Sequence, residues 1–369
     1  MKKRLIALLL AFCLTMGLGI ANAAETEDPV FSNLDDLTAW LYYEQTYLLE
    51  EEIRFSYTSE LDEVFSTPDP LSHMLYNCGL LDWTQYRNTE RRTVKVNEID
   101  YYQGFKIAQS WLLGENDRLN AEEKTALANA QKWVEEARKN AQSPYQLALN
   151  LHDALVSRVT YEANDKDEWD YHDTAVGSLN YGKAECDGYS DAFYLLCTLA
   201  GLQSGFQYGT TDNADEDETH LWNVLFWDGW WYQVDVTWDD KDREGAPAMA
   251  TYRYFNVGSE MMEDHFWDGE LSPHNQAKHN NWDYFLYTHD NTGANGGAYW
   301  KELEDAADFA VSAQKKGNHE SLHIMVNGSY EDGKHFNNVL QDAGLRGRWT
   351  TWTKQMGEYT CFDVLFLNE

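Results

Sequence analysis

The chain is 369 residues long, a length that favours two or three domains over one. Its 62 acidic and 28 basic residues give a formal net charge of −34, and a polyanion of this kind repels nucleic acid and anionic membranes. Aromatic residues make up 14% of the chain, which excludes a disordered acidic protein and indicates real apolar cores.

The first 23 residues have the pattern of a secretory signal peptide. Three basic residues at positions 2–4 precede an almost unbroken apolar run at positions 5–20, and Ala21-Asn22-Ala23 forms an A-x-A cleavage site. The run is shorter than the roughly 20 apolar residues that a membrane-spanning helix needs. We therefore predict cleavage after Ala23, export to the periplasm or the exterior, and no stable insertion into a membrane.

Three regions follow the signal peptide 1–23. Residues 24–142 are predicted to form an α/β region, with an alternating strand at 52–57 and a helix opened by Asn120 and Glu123 as a capping box. Ser143 and Pro144 have the pattern of a helix start and open a predicted catalytic domain at 143–290. The stretch 289–297 (HDNTGANGG) is typical of a linker, and residues 298–369 are predicted to form a small C-terminal α/β module.

Four cysteines remain after cleavage of the signal peptide: Cys78, Cys186, Cys197 and Cys361. They are few for the length of the chain, and none has the spacing of metal ligands. The sequence therefore indicates no disulfide framework, and we expect neither a metal nor a cofactor. A thiol that stays free in an exported protein invites a chemical explanation.

Cys186 is predicted to lie at the start of a helix that ends at Gly201. The apolar positions that follow the cysteine recur at offsets of three and four: Tyr189, Ala192, Phe193, Leu196 and Ala200. Free amides and the helix dipole at such an end favour a thiolate and are able to hold an oxyanion beside it. Cys197, in the last turns of the same helix, is interpreted as a packing residue.

A hairpin carries the second part of the candidate site. Strand-like residues 220–227 and 230–238 flank Asp228-Gly229, a strong turn signal. If the strands pair symmetrically about this turn, His220 and Asp235 are diagonal neighbours on one face of the sheet, within reach of a hydrogen bond. Asp239 occupies the other diagonal position, so spacing alone leaves both carboxylates open. A helix-terminal thiol, a histidine base and a carboxylate that orients it are the parts of a cysteine nucleophile site.

Several motifs between residues 151 and 266 resemble the transglutaminase-like superfamily of bacterial exported proteins. The segments that carry the resemblance are residues 151–153 (LHD), 182–189 (GKAECDGY), 220–223 (HLWN), 229–240 (GWWYQVDVTWDD), 254–256 (YFN) and 264–265 (DH). The resemblance implies an α+β, papain-like core in which a cysteine-bearing helix packs on an antiparallel sheet that carries His and Asp.

The resemblance also implies site residues. Asp235 rather than Asp239 would complete the triad with Cys186 and His220, and Asp239 and Asp240 would lie at a strand end or turn. The oxyanion side chain of the family usually precedes the cysteine in sequence, which leaves Trp169, Tyr171 and Tyr181 as candidates.

The expected activity is hydrolysis of an amide or peptide bond through a thioester. Transfer of the acyl group to an amine, as in a crosslinking transglutaminase, is the first alternative. A non-catalytic binding module on the same fold is the second, and an adhesin or wall-bound protein that binds through its N- and C-terminal regions is the third. The expected substrate is a protein or a cell-wall peptide, and the acidic charge favours a cationic one.

The acidic loop 212–218 (DNADEDE) matches no defined calcium loop and is interpreted as a solvated turn. Three further histidines have no metal spacing and are interpreted as structural, with His265 as a residue that lines the site: His152, His172 and His265.

Overall fold

The computed structural model describes residues 28–66, 71, 78–87, 92–162, 171–212, 219–240, 249–266, 276–287, 297–317, 321–330 and 333–367. The predicted signal peptide, Trp169, nearly all of the acidic loop and nearly all of the linker lie outside these residues. Within them, no helix is long and apolar enough to span a bilayer.

The described helices and strands mix along the chain. The helices are α1 (Leu34–Tyr43), α2 (Gln103–Leu113), α3 (Ala121–Lys139), α4 (Pro144–Val156), α5 (Cys186–Ala200), α6 (Val236–Asp239), α7 (Tyr284–Tyr287), α8 (Leu303–Lys316) and α9 (Gly333–Asp342). The strands of the first half are β1 (Val30–Phe31), β2 (Ile53–Tyr57), β3 (Gly79–Arg87), β4 (Arg92–Tyr101), β5 (Thr160–Tyr161), β6 (Lys183–Ala184) and β7 (Ser204–Thr211). Those of the second half are β8 (His220–Trp227), β9 (Trp230–Val234), β10 (Phe255–Val257), β11 (His265–Phe266), β12 (Gly297–Trp300), β13 (Ser321–Asn327), β14 (Arg348–Met356) and β15 (Tyr359–Leu367).

Three larger sheets organise these elements. Their strand orders are β1-β2-β4-β3 in the N-terminal region, β10-β9-β8-β7-β11 in the centre and β12-β13-β15-β14 at the C-terminus. All pairs of the central sheet are antiparallel, and α5 packs against β7 and β8. The predicted α+β class is therefore confirmed.

Helix boundaries follow the local signals in the sequence. Asn120 and Glu123 form the predicted capping box at the start of α3, and the side chain of Ser143 caps α4, with Pro144 in its first turn. At the other end of α5, Gly201 adopts the left-handed conformation, with φ of 76°, that a glycine allows without strain.

The hairpin has the predicted register but a shorter second strand. Trp227 pairs with Trp230 and Asn223 with Val234, so the strands are symmetric about Asp228-Gly229. The expectation of a strand through residue 238 was wrong, because β9 ends at Val234 and α6 begins two residues later. The reason is local: the side chain of Asp235 accepts the backbone N–H of Trp238 at 3.0 Å and caps this helix, which competes with strand pairing.

A buried aspartate fixes α5 against the preceding elements. Asp191 Oδ2 accepts the backbone N–H of Gly104, at the start of α2, at 2.7 Å and that of Ala175 at 3.0 Å. Residue 104 must be a glycine, because a Cβ there would lie 2.6 Å from Asp191 Oδ1. This contact ties the helix that begins at Cys186 to the segment before the predicted catalytic domain.

The apolar side chains form three cores. The largest contains residues from α2 to α5, the central sheet and one face of the C-terminal sheet, and smaller clusters lie beneath the N-terminal sheet and between the C-terminal sheet and α8 and α9. The largest core draws on both sides of residue 142. The domain boundaries given above stay predictions.

Asp283 supplies a test of this packing through its charge. Its Oδ1 accepts the N–H groups of Phe285 and Leu286, at 3.0 Å each, and its Oδ2 is buried with no partner among the described residues. Burial raises the pKa of Asp283 from its usual 3.8 to about 8. Between these two pH values the folded protein holds a proton that the unfolded chain has released, so stability falls as pH rises.

We therefore expect Asp283→Asn to remove part of the loss of stability between pH 5 and pH 8. The upper limit for one such group is about 1.4 kcal/mol per pH unit. Urea unfolding of the wild type and the variant at both pH values measures it, with the exposed Asp305→Asn as the control. An equal loss in all three proteins would show that Asp283 ionises normally.

Candidate active site

Cys186 is the first residue of α5, as predicted, and is half-buried. Among the described residues no side chain caps the first turn of α5, and its backbone N–H groups point out of the helix end beside the thiol. The segment around His172 lies close to the start of α5, because the backbone N–H of Glu185 donates to the carbonyl of His172 at 2.7 Å. A Cβ at Gly188 would lie 2.7 Å from that same carbonyl, so this approach requires a glycine.

The start of α5 lies directly against the start of β8, a contact that the sequence alone did not establish. Ser190 Oγ donates to the carbonyl of Leu221 at 2.8 Å, and Asn223 Nδ2 donates to the carbonyl of Ser190 at 3.0 Å. The backbone of Leu221 also lies near enough to the thiol of Cys186 to lower its pKa. The thiol therefore lies beside the residue that follows His220.

His220 and Asp235 form a buried pair. His220 Nε2 lies 2.7 Å from Asp235 Oδ2, and the two residues are 7% and 1% exposed. With Nε2 committed to the carboxylate, Nδ1 is the nitrogen that is left to exchange a proton with a thiol. The rings of Trp222 and Trp238 flank the imidazole, with centroids 5.6 and 6.0 Å away.

Asp239, the alternative that spacing left open, pairs with a different histidine. His152 Nε2 lies 3.2 Å from Asp239 Oδ2, and Thr251 Oγ1 and the backbone N–H of Tyr254 donate to Asp239 Oδ1. Burial lowers the pKa of His152, but its bonds to Asp153 and Asp239 outweigh burial and raise the pKa to about 9. Asp239 is thus a buried structural carboxylate at the last residue of the short helix α6, which follows the end of β9.

A second histidine also donates to Asp235. His265 Nε2 lies 2.9 Å from Asp235 Oδ2, and His265 Nδ1 lies 2.8 Å from Asp264 Oδ1. Burial opposes ionisation of Asp235, but the charge and hydrogen bond of His220 and the bond from His265 outweigh it and hold the pKa below its usual value. The sequence contained one signal for this contact, the Asp264-His265 pair within the family motif, but no spacing that linked it to Asp235.

The charges around Cys186 favour the thiol, contrary to the expectation for a helix N-terminus. Burial raises the pKa of Cys186 first, and the carboxylates of Asp187, Asp235 and Glu185 add to it, against the bond from Leu221. Cys186 Sγ donates to Asp187 Oδ1 at 3.6 Å. Attack by this sulfur therefore requires a base that removes its proton.

Two of the three oxyanion candidates lie in the described part of the chain. These are Tyr171 and Tyr181, whose rings stack with centroids 5.6 Å apart. The hydroxyl of Tyr181 donates to Glu122 Oε2 on α3 at 3.2 Å. The exposed Tyr181 thus contacts α3, and both tyrosines stay candidates. Trp169 lies outside the described residues.

The described residues bring one set of metal-type ligands together. The ligand atoms of His220, Asp235 and His265 lie within 4.8 Å of one another. Their separations of 2.7 and 2.9 Å from the carboxylate are hydrogen-bond distances, shorter than the about 3.3 Å between two ligands of a tetrahedral zinc ion. The geometry therefore fits a proton-sharing cluster better than a metal centre.

The four described cysteines are free, and Cys78, Cys197 and Cys361 are fully buried. Burial raises the pKa of each of these three thiols. Cys186 is therefore the accessible thiol of this part of the chain.

A papain-like core is defined by a helix that begins at a thiol and packs on an antiparallel sheet, with His220 at the start of β8 and Asp235 directly after β9. Residues 131–236 match the Transglutaminase-like superfamily, and this segment is a transglutaminase-like domain.

Over 121 residues the chain is 30% identical to kyphoscoliosis peptidase of Homo sapiens and 29% identical to that of Mus musculus. The alignment covers 29% of this chain and 18% of each relative, so the chain spans only a small part of the curated relatives it matches.

Two solved structures are similar to this chain at low scores. The crystal structure of a TGase has 15% identity and a TM-score of 0.29, over 57% of this chain and 59% of the other. A candidate cysteine protease of Cytophaga hutchinsonii has 12% identity and a TM-score of 0.26, over 43% of this chain and 62% of the other. At such scores neither likeness carries an argument.

Asp187→Asn should speed alkylation of Cys186 by iodoacetamide at pH 7 by roughly tenfold, because it removes the negative charge beside the sulfur. Mass spectrometry of the cysteine-bearing peptides measures the rate. The exposed Asp117→Asn provides a carboxylate control elsewhere on the chain, which should react like the wild type. A slower reaction in Asp187→Asn would show that this carboxylate assists the thiol rather than opposing it.

Proposed function

We propose that the chain is an exported cysteine-dependent hydrolase of amide or peptide bonds. Cys186 acts as nucleophile, His220 as base and acid, and Asp235 as the group that orients His220. The observation that carries the proposal is the buried 2.7 Å contact of His220 with Asp235, at the end of the strand that packs on the helix of Cys186. A buried His–carboxylate pair beside a helix-terminal thiol is the arrangement that nucleophilic catalysis requires.

In the first half of the reaction, Cys186 Sγ attacks the substrate carbonyl carbon while His220 Nδ1 takes up the thiol proton. The C–S bond forms, and the carbonyl oxygen becomes an oxyanion that the amides of the first turn of α5 stabilise. The C–N bond then breaks as His220 returns the proton to the departing amine, which leaves a thioester on Cys186.

In the second half, water attacks the thioester and gives a proton to His220. The C–S bond breaks, the acid leaves, and the proton returns to the sulfur. An amine in place of water would give a new amide, which is the transglutaminase reaction. We favour water because nothing in the sequence marks an amine-acceptor pocket, and the name of the human and mouse relatives, a peptidase, supports this choice.

The proposed substrate is a protein or a cell-wall peptide that the exported enzyme meets in the periplasm or outside the cell. The net charge of −34 favours a cationic one and disfavours nucleic acid and anionic membranes. The predicted signal peptide supports export and no stable membrane insertion.

A second candidate is a non-catalytic binding module on the same fold. One observation favours it: burial and Asp187 raise the pKa of the Cys186 thiol, as expected for a sulfur that no longer reacts. The two proposals differ in whether His220 changes the reactivity of Cys186.

We expect His220→Ala to slow iodoacetamide alkylation of Cys186 at pH 7 by at least about 100-fold, the usual contribution of a positioned base. Cys186→Ala should abolish hydrolysis of fluorescent casein or of a wall-derived peptide, and Asp235→Asn should reduce it by about four orders of magnitude. Incorporation of a fluorescent amine into casein would separate transamidation from hydrolysis.

The matched control is His279→Ala, since the Nδ1 of His279 bonds the hydroxyl of Tyr232, outside the triad. If Cys186 of His220→Ala is alkylated as fast as Cys186 of the wild type, the proposal of an enzyme is refuted and the binding module becomes the favoured function.

A further inference from the structure

The contact of His265 with Asp235 continues into a longer chain of alternating charges. Asp264 Oδ1 accepts a hydrogen bond from His265 Nδ1. Asp264 Oδ2 accepts a hydrogen bond from the hydroxyl of Tyr254, at 2.6 Å, and forms an ion pair with Lys354 Nζ. Asp264 and His265 are 4% and 3% exposed. The chain therefore runs from the proposed catalytic pair to a lysine near the C-terminus through buried groups.

His265 is a cation in this chain on geometric grounds. Both of its nitrogens lie within 2.9 Å of carboxylates, and an ionised carboxylate only accepts hydrogen bonds, so each nitrogen must donate. Burial lowers the pKa of His265, but the bonds to Asp235 and Asp264 outweigh burial and raise it. Asp264 thus lies between the cations of His265 and Lys354, and Asp235 lies beside the cation of His265, which offsets the cost of burying these carboxylates.

Lys354 comes from the C-terminal module, whose sheet turns one face toward the central core. Lys354 pairs with Cys361 across β14 and β15, so both side chains point to the same side. Cys361, Met325 and Met356 on that side belong to the large core. The opposite side packs on α8 and α9.

A second ion pair holds this face in place. Arg253 Nη2 contacts Asp363 Oδ2 in β15, and His323 Nδ1 lies 2.8 Å from Asp363 Oδ1. Arg253 immediately precedes Tyr254, which donates to Asp264. The module is therefore attached at two charged points, and one of them leads to the site.

We propose that the C-terminal module positions the catalytic pair, with Lys354 holding Asp264, Asp264 holding His265, and His265 holding the carboxylate of Asp235 toward His220. The proposal rests on the function proposed above. Lys354, Asp264 and His265 are positioning residues, since Asp235 and His220 stand between them and the sulfur. The module would thereby be part of the enzyme rather than a separate binding unit.

The alternative role for Lys354 is packing, because its Nζ lies 5.6 Å above the ring of Trp238, which also contacts His220. A cation above a ring stabilises locally and does not need His265. The two roles differ in whether the effect of changing Lys354 depends on His265.

The test measures alkylation of Cys186 by iodoacetamide at pH 7 in the full-length protein. We expect Lys354→Met to slow it by about tenfold, within the roughly 100-fold that a misplacement of 1 Å can cost. Lys354→Arg should restore most of the rate, because it keeps the cation. Lys315→Met, at an exposed lysine of α8 in the same module, should react like the wild type.

His265→Gln decides between the two roles and serves if Lys354→Met folds poorly. A glutamine keeps an N–H for Asp235 but gives up the second ring nitrogen, so it should slow alkylation to a similar degree. Adding Lys354→Met to His265→Gln should then change little, because both act through one chain. Additive losses, or a rate equal to that of the wild type in both single variants, would overturn the proposal.

His220→Ala, measured in parallel, separates this inference from the proposed function. If His220→Ala slows alkylation while Lys354→Met and His265→Gln do not, only the positioning role fails. If His220→Ala also reacts like the wild type, the triad itself fails.

Discussion

The carboxylate of Asp235 is the constraint on which the site depends. It is buried and accepts three N–H groups: Trp238 on Oδ1, and His220 and His265 on Oδ2. Without such partners, burial of an ionised carboxylate costs several kcal/mol. The bond to Trp238 accompanies the end of β9 at Val234 and the start of α6 at Val236. The bond to His265 comes from β11, which pairs with the edge of β7. The same contacts orient His220.

Several buried carboxylates have a histidine or a basic residue beside them, although the chain as a whole carries −34. Asp239 has His152, Asp363 has Arg253 and His323, and Asp264 has His265 and Lys354. Asp187 is different, since burial raises the pKa of its carboxyl and it lies beside the thiol. The site therefore combines a well-compensated His–Asp pair with a thiol whose pKa is raised by burial and by Asp187, so the proposed mechanism needs His220 to activate the sulfur.

Local signals made part of this structure predictable. The capping box at Asn120, the stop at Gly201 and the register about Asp228-Gly229 depend on residues close in sequence, and each was confirmed. The same register brought His220 and Asp235 together. The prediction of a strand failed beyond Val234. Residues 230–238 alternate like a strand, but the side chain of Asp235 caps a helix there, and this local preference decides the structure. His265 and Lys354 lie 30 and 119 residues beyond Asp235, and no periodicity reports contacts across such separations.

The attachment of the C-terminal module changes how its role can be studied. An adhesin predicts that deletion of residues 298–369 removes surface binding and leaves hydrolysis unchanged. The structure argues that the deletion also removes Asp363 from the buried Arg253, and an uncompensated buried charge is strongly destabilising. The deletion also removes Met325, Met356 and Cys361 from the largest core, which exposes the apolar side chains that they cover. Loss of hydrolysis on deletion would therefore follow from unfolding alone, whereas a single charge change at Lys354 leaves Arg253 paired and addresses the site itself.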